Sequence, residues 1–346
     1  MLPNYDNKLF RNLYSGEPMI RKRGKNLIKT LILKTGACRS LESEKTNLEK
    51  VVHNLKTEKQ DLKNLVNNLK AENKSLKSAY LEINASQRDM QSFKDSSDLT
   101  IIMPYRKTDD PEREENMDIT LSYLSKLGIN NLIISEHAHE TSEKFLMDKY
   151  ANLFDSLRVI FISSDGNLFN KAHAINQGVI ASNTPYFAIV DIDCLTEKKN
   201  IDLAIYLLEK GFEIVHPFNR VIKDIVDKET FRKEYDFQKV TSTPQYRDWA
   251  DGGIVFWNKR AFIDIGMKNE YFHGWGGEDN EILIRASLCQ LKQIRIDETL
   301  YHLYHDRPQI RTKNNVEQTK KIEQIKTKED LLNEINKWPW VVKVKN

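Results

Sequence analysis

The sequence predicts an α/β domain on a mainly parallel sheet, preceded by an N-terminal coiled-coil helix. Three observations carry this. From about residue 98 onward, short β-rich runs alternate with helical patterns. One of those runs, Tyr186 to Val190, is wholly apolar and ends in Asp191 and Asp193. Upstream, Leu41, Leu48, Leu55, Leu62, Leu69, Leu76 and Ile83 recur every seven residues. Strand–helix alternation argues for a parallel sheet covered on both faces, with ligands bound beyond the carboxyl ends of its strands.

Residues 1–40 form a basic segment in which Arg21, Lys22, Arg23, Lys25, Lys29 and Lys34 surround Leu27, Ile28, Leu31 and Ile32. The apolar spacing is helical. Two readings stand: a solvated arm, or a basic amphipathic helix on an anionic membrane surface, where lipid-linked acceptors reside. Residues 41–93 are read as the coiled coil. With leucine at d, the a positions hold Lys45, Val52, Lys59, Val66, Asn73 and Tyr80. A stripe of this length needs a partner, and a parallel homodimer is the expected one.

Residues 98–312 hold the catalytic pattern. Strands are expected over Leu99–Met103, Leu132–Ser135, Leu157–Ile162, Tyr186–Asp191, Phe212–His216 and Ile254–Trp257. Helices are expected over Pro111–Leu127, closed by Gly128, and over Leu168–Ala181. Residues 313–346 read as a charged helix and a tail whose Trp338 and Trp340 pack against the catalytic body.

A net charge of +3 on 346 residues gives no global attraction to nucleic acid. Three scattered cysteines, Cys38, Cys194 and Cys289, have neither metal-type spacing nor the count of a disulfide framework, which suits a reducing compartment. No run approaches the roughly 20 apolar residues of a membrane-spanning helix. The polar start lacks the features of a secretion signal. The expected location is cytoplasmic, with residues 1–40 as a peripheral contact on the inner face of the membrane under the second reading.

Three motifs carry chemistry. Asp191 and Asp193 share one face of an extended chain and could meet a divalent cation that bridges to a diphosphate; hard oxygen ligands suit Mn²⁺ or Mg²⁺. The stretch from His273 to Glu281 places Gly274, Gly276 and Gly277 around Trp275, a natural platform for a sugar face, and then Glu278 and Asp279 at the opening of a helix. Acidic residues in a first turn are also common caps. Finally, His302 and His305 lie three apart; on a strand they point to opposite faces, so they reach one ion only if the chain turns there.

Taken together, the Asp191–Asp193 pair, the Trp275-to-Asp279 stretch and the downstream histidines resemble the β1,4-galactosyltransferase-type family. They are similar also to the catalytic domains of bacterial chondroitin-type polymerases and of polypeptide N-acetylgalactosaminyltransferases. Pro104, Tyr105 and Arg106 resemble the family's nucleotide-binding turn, and Phe169 to Ala172 resembles its segment ahead of the acidic motif. The resemblance spans about 210 residues and implies a GT-A-type nucleotide-sugar-binding fold.

It implies that Pro104, Tyr105 and Arg106 hold the uridine nucleotide, with Phe169 and Lys171 near base and phosphates and Asp191 beside them. Asp193 and His305 would ligate the metal, with His302 as a further candidate. Gly252 and Gly253 would lie by the donor sugar, and Trp275 would close over donor and acceptor. Glu278 would hold the acceptor, and Asp279 would be the general base.

Two departures stand out. Thr108 replaces a second arginine, so that phosphate contact falls to Lys107 or is absent. Ala250 replaces a bulky tyrosine, which leaves room for an N-acetylhexosamine.

The reading is an inverting, metal-dependent transferase that moves a hexose or N-acetylhexosamine from a UDP-sugar to a glycan or glycolipid acceptor, in surface polysaccharide synthesis. Two alternatives compete with it: a retaining transferase of the polypeptide-modifying type, and a coiled-coil scaffold with an inactive transferase domain.

Overall fold

The computed structural model describes residues 45, 47–60, 63, 98–165, 168–274, 276–306 and 312–345. The basic segment 1–40, most of the heptad stretch and Trp275 lie outside them. The chain divides into two units, Met1–Arg88 and Asp89–Asn346. In the first, residues 47–60 are helical, and Leu48, Val52 and Leu55 of the heptad pattern are exposed.

The second unit runs β1 (Leu99–Tyr105), α1 (Pro111–Lys126), β2 (Asn131–Ala138), α2 (Glu143–Tyr150), β3 (Ser156–Ser163), α3 (Lys171–Ala181) and β4 (Tyr186–Val190). It continues through β5 (Cys194–Leu195), α4 (Lys198–Glu209), β6 (Ile214–His216), β7 (Val221–Ile225), α5 (Lys228–Glu234), β8 (Gln245–Tyr246), β9 (Ile254–Asn258) and α6 (Lys259–Asp264). It closes with α7 (Glu278–Leu288), β10 (Gln293–Arg295), β11 (Thr299–Leu303), α8 (Lys313–Glu323), α9 (Lys328–Ile335) and α10 (Pro339–Lys345).

The seven-stranded sheet has the order β10-β6-β9-β4-β1-β2-β3. Only β9 breaks the parallel rule, lying antiparallel to both β4 and β6. The strands buried on both faces are the apolar runs of the sequence: every residue of β1 is buried, as is nearly all of β4. The α/β expectation is therefore borne out.

A second sheet, β5-β11-β7-β8, was not foreseen in the sequence, because β5 and β8 are two residues each and β7 is half polar.

Local chemistry sets the helix ends. Asp110 caps α1, accepting from Glu112 N–H ahead of Pro111, and Gly128 at φ 74° follows the helix in the left-handed region. Asn170 caps α3 by accepting from His173 N–H. The close seating of α3 on the sheet depends on Gly178, where a Cβ would come within 2.3 Å of Ser135 Oγ.

One core joins this sheet to α3, α6, α7 and the C-terminal helices, through Ile102, Ile175, Phe187, Trp257, Ile282, Ile335 and Trp338 among others. The tail thus folds as part of the body. Trp340 donates its indole N–H to Gly266 C=O, and Arg285 lies over the Trp338 ring.

Candidate active site

The carboxyl ends of β4, β6 and β10 gather at one end of the large sheet, together with the start of antiparallel β9. Here β4 passes into Asp191–Asp193. Asp191 N–H donates to Gly253 C=O at 2.8 Å, Thr120 holds Ile192 C=O at 2.8 Å, and Leu303 N–H holds Asp193 C=O at 2.8 Å. The two aspartates therefore sit on a turn pinned by α1 and both sheets, with their side chains half-buried.

Asp193 faces the small sheet. His305 Nε2 lies 2.8 Å from Asp193 Oδ2, and His302 Nε2 lies 3.7 Å from the same oxygen. The sequence geometry that set the two histidines on opposite faces fails because β11 ends at Leu303, and His305 lies beyond it on a turned chain.

The outer nitrogens of both rings are engaged. His305 Nδ1 lies 2.9 Å from Asp306 C=O, and His302 Nδ1 lies 2.8 Å from Asp224 Oδ1. A carbonyl or carboxylate oxygen only accepts, so both Nδ1 atoms carry hydrogen, which leaves Nε2 as the ring atom that could ligate a metal beside Asp193. The outer bonds are those that orient metal-ligating histidines. The donor set of Asp193, His302 and His305, within 4.8 Å of one another, thus fits a divalent ion.

Asp224 was not singled out in the sequence. It is the cross-strand partner of His302 in the parallel β7–β11 pair and is also contacted by Arg247 Nη2 at 3.3 Å.

Asp191 stays within 4.8 Å of Asp193 and Cys194 and also meets Lys171. Lys171, first residue of α3, reaches Asp191 Oδ2 at 2.9 Å and both Glu278 Oε1 and Asp279 Oδ2 at 3.6 Å. Lys268, which no local pattern marks, donates to Asp279 Oδ1 at 2.5 Å. Three carboxylates and two ammonium groups are thus packed together.

Burial alone would depress the Lys171 ammonium, yet Asp191, Asp279 and Glu278 outweigh it and hold its pKa well above the ordinary value. Burial pushes the Asp191 carboxyl up, Lys171 pulls it down, and repulsion from Asp193 and Asp279 tips the balance upward. Glu278 is raised by burial and by the adjacent Asp279. Asp279 goes the other way: against the upward push of burial, Lys171 and Lys268 hold its carboxyl well below the usual range.

Gly252 and Gly253 belong to this arrangement. A Cβ on Gly252 would fall 2.0 Å from Asp279 Oδ2, so the carboxylate occupies the space a side chain would need. Gly253, at φ 88°, turns the chain into β9. The preceding Asp251 is buried and ties the loop down, accepting from Arg220 Nε and Nη2 at 3.0 and 2.8 Å, from Arg295, and from Asn280 Nδ2 at 2.6 Å. Asp251 too went unread; its place beside a glycine pair was the available signal.

Of the nucleotide-turn residues, Pro104 and Tyr105 end β1 and are buried, while Arg106 just beyond is half-buried. The half-buried Phe169 ring lies 6.0 Å from that of His137, at the edge next to Lys171.

The sequence matches two family models: glycosyl transferase family 2 over residues 140–270, and the N-terminal domain of galactosyltransferase over residues 237–306. These define the class: the chain is a glycosyltransferase, and the similarity to galactosyltransferases read in its motifs is borne out. The second match covers Gly252, Gly253, Lys268, Asp279 and both histidines; the first covers Lys171, Asp191 and Asp193.

Among solved structures, the chain is 17% identical to a Drosophila β1,4-galactosyltransferase 7 variant in complex with manganese, UDP-Gal and xylobiose, covering 67% of this chain and 82% of that one at a TM-score of 0.43. It is 13% identical to S. aureus TarS in complex with UDP-GlcNAc, covering 68% of this chain and 71% of that one at a TM-score of 0.48. No curated protein matches it.

Proposed function

We propose that the chain is an inverting, metal-dependent glycosyltransferase that moves a hexose or N-acetylhexosamine from a UDP-sugar to a hydroxyl of a glycan or glycolipid. The single observation that carries this reading is the Asp279 carboxylate bonded by Lys268 and facing Lys171, in the same strand-end cluster as the Asp193, His302 and His305 set. A metal held by those three residues would offset charge on the departing diphosphate.

The protein's own groups do the rest. Asp279 takes the proton from the acceptor hydroxyl as its oxygen bonds to the anomeric carbon. The bond from that carbon to the diphosphate oxygen breaks opposite, and its electron pair leaves with UDP. Glu278, protonated more readily than Asp279, is suited to hold an acceptor hydroxyl. Trp275 adjoins this helix start in sequence and is assigned to cover donor and acceptor.

The wider reading is a homodimer through the heptad stretch, a cytoplasmic location with residues 1–40 against the membrane, and a role in surface polysaccharide synthesis. Exposure of Leu48, Val52 and Leu55 supports the first of these.

The experiment is a panel of UDP-sugars assayed for Mn²⁺-dependent UDP release, followed by NMR of the anomeric centre in the product. Inverted configuration is expected. Retention would move the chain to the polypeptide-modifying type, and silence with every donor would make it a scaffold.

A further inference from the structure

The two oxygens of Asp279 have different surroundings. Oδ1 receives Lys268 Nζ at 2.5 Å. Oδ2 lies over Gly252, 3.6 Å from Lys171 Nζ, on the side where Lys171 also meets Asp191. Lys268 itself is 2% exposed, and its other bond is to Glu278 C=O at 3.4 Å. An ammonium buried so deeply is costly without its carboxylate, so the pair is bound to stay together.

The backbone of Lys268 is equally fixed. Asn176 Oδ1 accepts from Lys268 N–H and Asn176 Nδ2 donates to Lys268 C=O, both at 2.9 Å. The same amide nitrogen reaches Glu270 Oε1 at 2.9 Å, while Glu270 Oε2 meets His173 Nδ1 at 2.5 Å. Met267, immediately before, sits at φ 59°, which turns the chain into this clamp. Thus α3 supplies Lys171 at its first residue and, one and a half turns on, grips the loop that delivers Lys268.

We propose that Lys268 is the positioning residue of the catalytic base: it fixes Oδ1 of Asp279 as an ionised, immobile oxygen and so makes Oδ2 the atom that takes the acceptor's proton. The inference rests on the reading of Asp279 as that base. In the step, the hydroxyl proton passes to Oδ2, the acceptor oxygen bonds to the anomeric carbon, and the electron pair of the broken bond leaves with UDP. Lys268 keeps its own protons throughout.

The groups that face Asp279 are Lys171 from α3, Lys268 from the loop, Asp191 from the end of β4, His216 from β6, and Glu278 on its own helix. Burial raises its pKa, and the two lysines together lower it. With the Lys268 charge removed, Lys171 alone opposes burial and the repulsion of Glu278 and Asp191. The Asp279 pKa then rises, and turnover is lost at a higher pH on the acid side.

The test uses the full chain and the UDP-sugar that gives Mn²⁺-dependent UDP release. Wild type, K268M, D279N and K268M/D279N are assayed between about pH 4.5 and 9, with donor KM and melting temperature measured alongside. In K268M, kcat is expected to fall at least about tenfold at neutral pH with donor KM within about twofold, and the acid limb to move up by a pH unit or more. In the D279N background, K268M should change kcat no further.

An unmoved acid limb, or an equal loss in both backgrounds, overturns the inference and leaves Lys268 a structural tether. Wild-type turnover by D279N instead sinks the reading of the base itself. Should K268M fail to fold, K268Q takes its place in both backgrounds, and the same outcomes decide.

Discussion

The corner around Asp193 and the corner around Asp279, proposed above to hold the metal and the base, solve the same electrostatic problem in opposite ways. At Asp193, His302 and His305 the protein gathers a carboxylate and two imidazoles, a donor set that would take its divalent ion from solution. At Asp191, Glu278 and Asp279 the positive charge is built into the chain as Lys171 and Lys268. The first corner is therefore open to exchange and chelation. The second is fixed when the protein folds. A leaving group needs a charge partner only while donor is bound, whereas the base must be ionised and aimed before the acceptor arrives.

The comparison breaks first at Asp279. Asp279→Asn keeps an oxygen for Lys268 to bond but removes the proton acceptor, so kcat for UDP release should drop about 10²–10⁴-fold. Calorimetric binding of Mn²⁺ should be unchanged; a joint loss would show that the corners are one unit. Gly252→Ala is the next largest. Its Cβ would displace Oδ2, and a shift of about 1 Å costs about 10²-fold in kcat, again with Mn²⁺ affinity intact.

The complementary change is Asp224→Ala, which frees His302 Nδ1 from its carboxylate. Mn²⁺ affinity, read by titration calorimetry or by the EPR signal of free Mn²⁺, should weaken by about 10–100-fold, while the acid limb of the kcat profile stays in place. A shifted limb would mean that Asp224 acts on the base. The smallest effect is expected in the heptad stretch. Leu48→Lys with Leu55→Lys should convert a dimer to a monomer in light scattering and leave UDP release per chain unchanged within about twofold. A tenfold loss would tie the heptad helix to the active site.

Much of the scaffold was legible in the sequence for a simple reason. The strands β1, β2, β4, β6 and β9 announce themselves through apolar runs because each is largely buried in the large sheet; the edge strand β3 shows an apolar run from Val159 to Ile162 although only its Leu157 is buried. The small sheet was not legible: the run Val221 to Ile225 carries Lys223 and Asp224, and nothing local tells such a half-polar segment from a loop.

The site divides along the same line. Asp193, Asp279 and the two histidines stand in recognisable spacings. Asp224 and Lys268 lie 78 and 11 residues from the groups they serve, and each looks like an ordinary surface charge in its own neighbourhood. Lys268 is nonetheless almost wholly buried. What makes these two matter is a partner brought in by the fold, which their immediate neighbours in the sequence do not announce.

The C-terminal helices carry a last consequence. Trp340 bonds Gly266 C=O and stacks edgewise on Tyr271, and Ile335 packs where a Cβ on Gly266 would come within 3.0 Å. Gly266 and Tyr271 bracket the loop that presents Lys268. The far end of the polypeptide therefore acts as a buttress two steps removed from the reacting oxygen. A catalytic fragment cut at the last histidine would retain every residue proposed to act on substrate or metal and lose the masonry that keeps one of them in line. Anyone splicing this transferase onto another protein should leave that end as it is and add the new partner elsewhere.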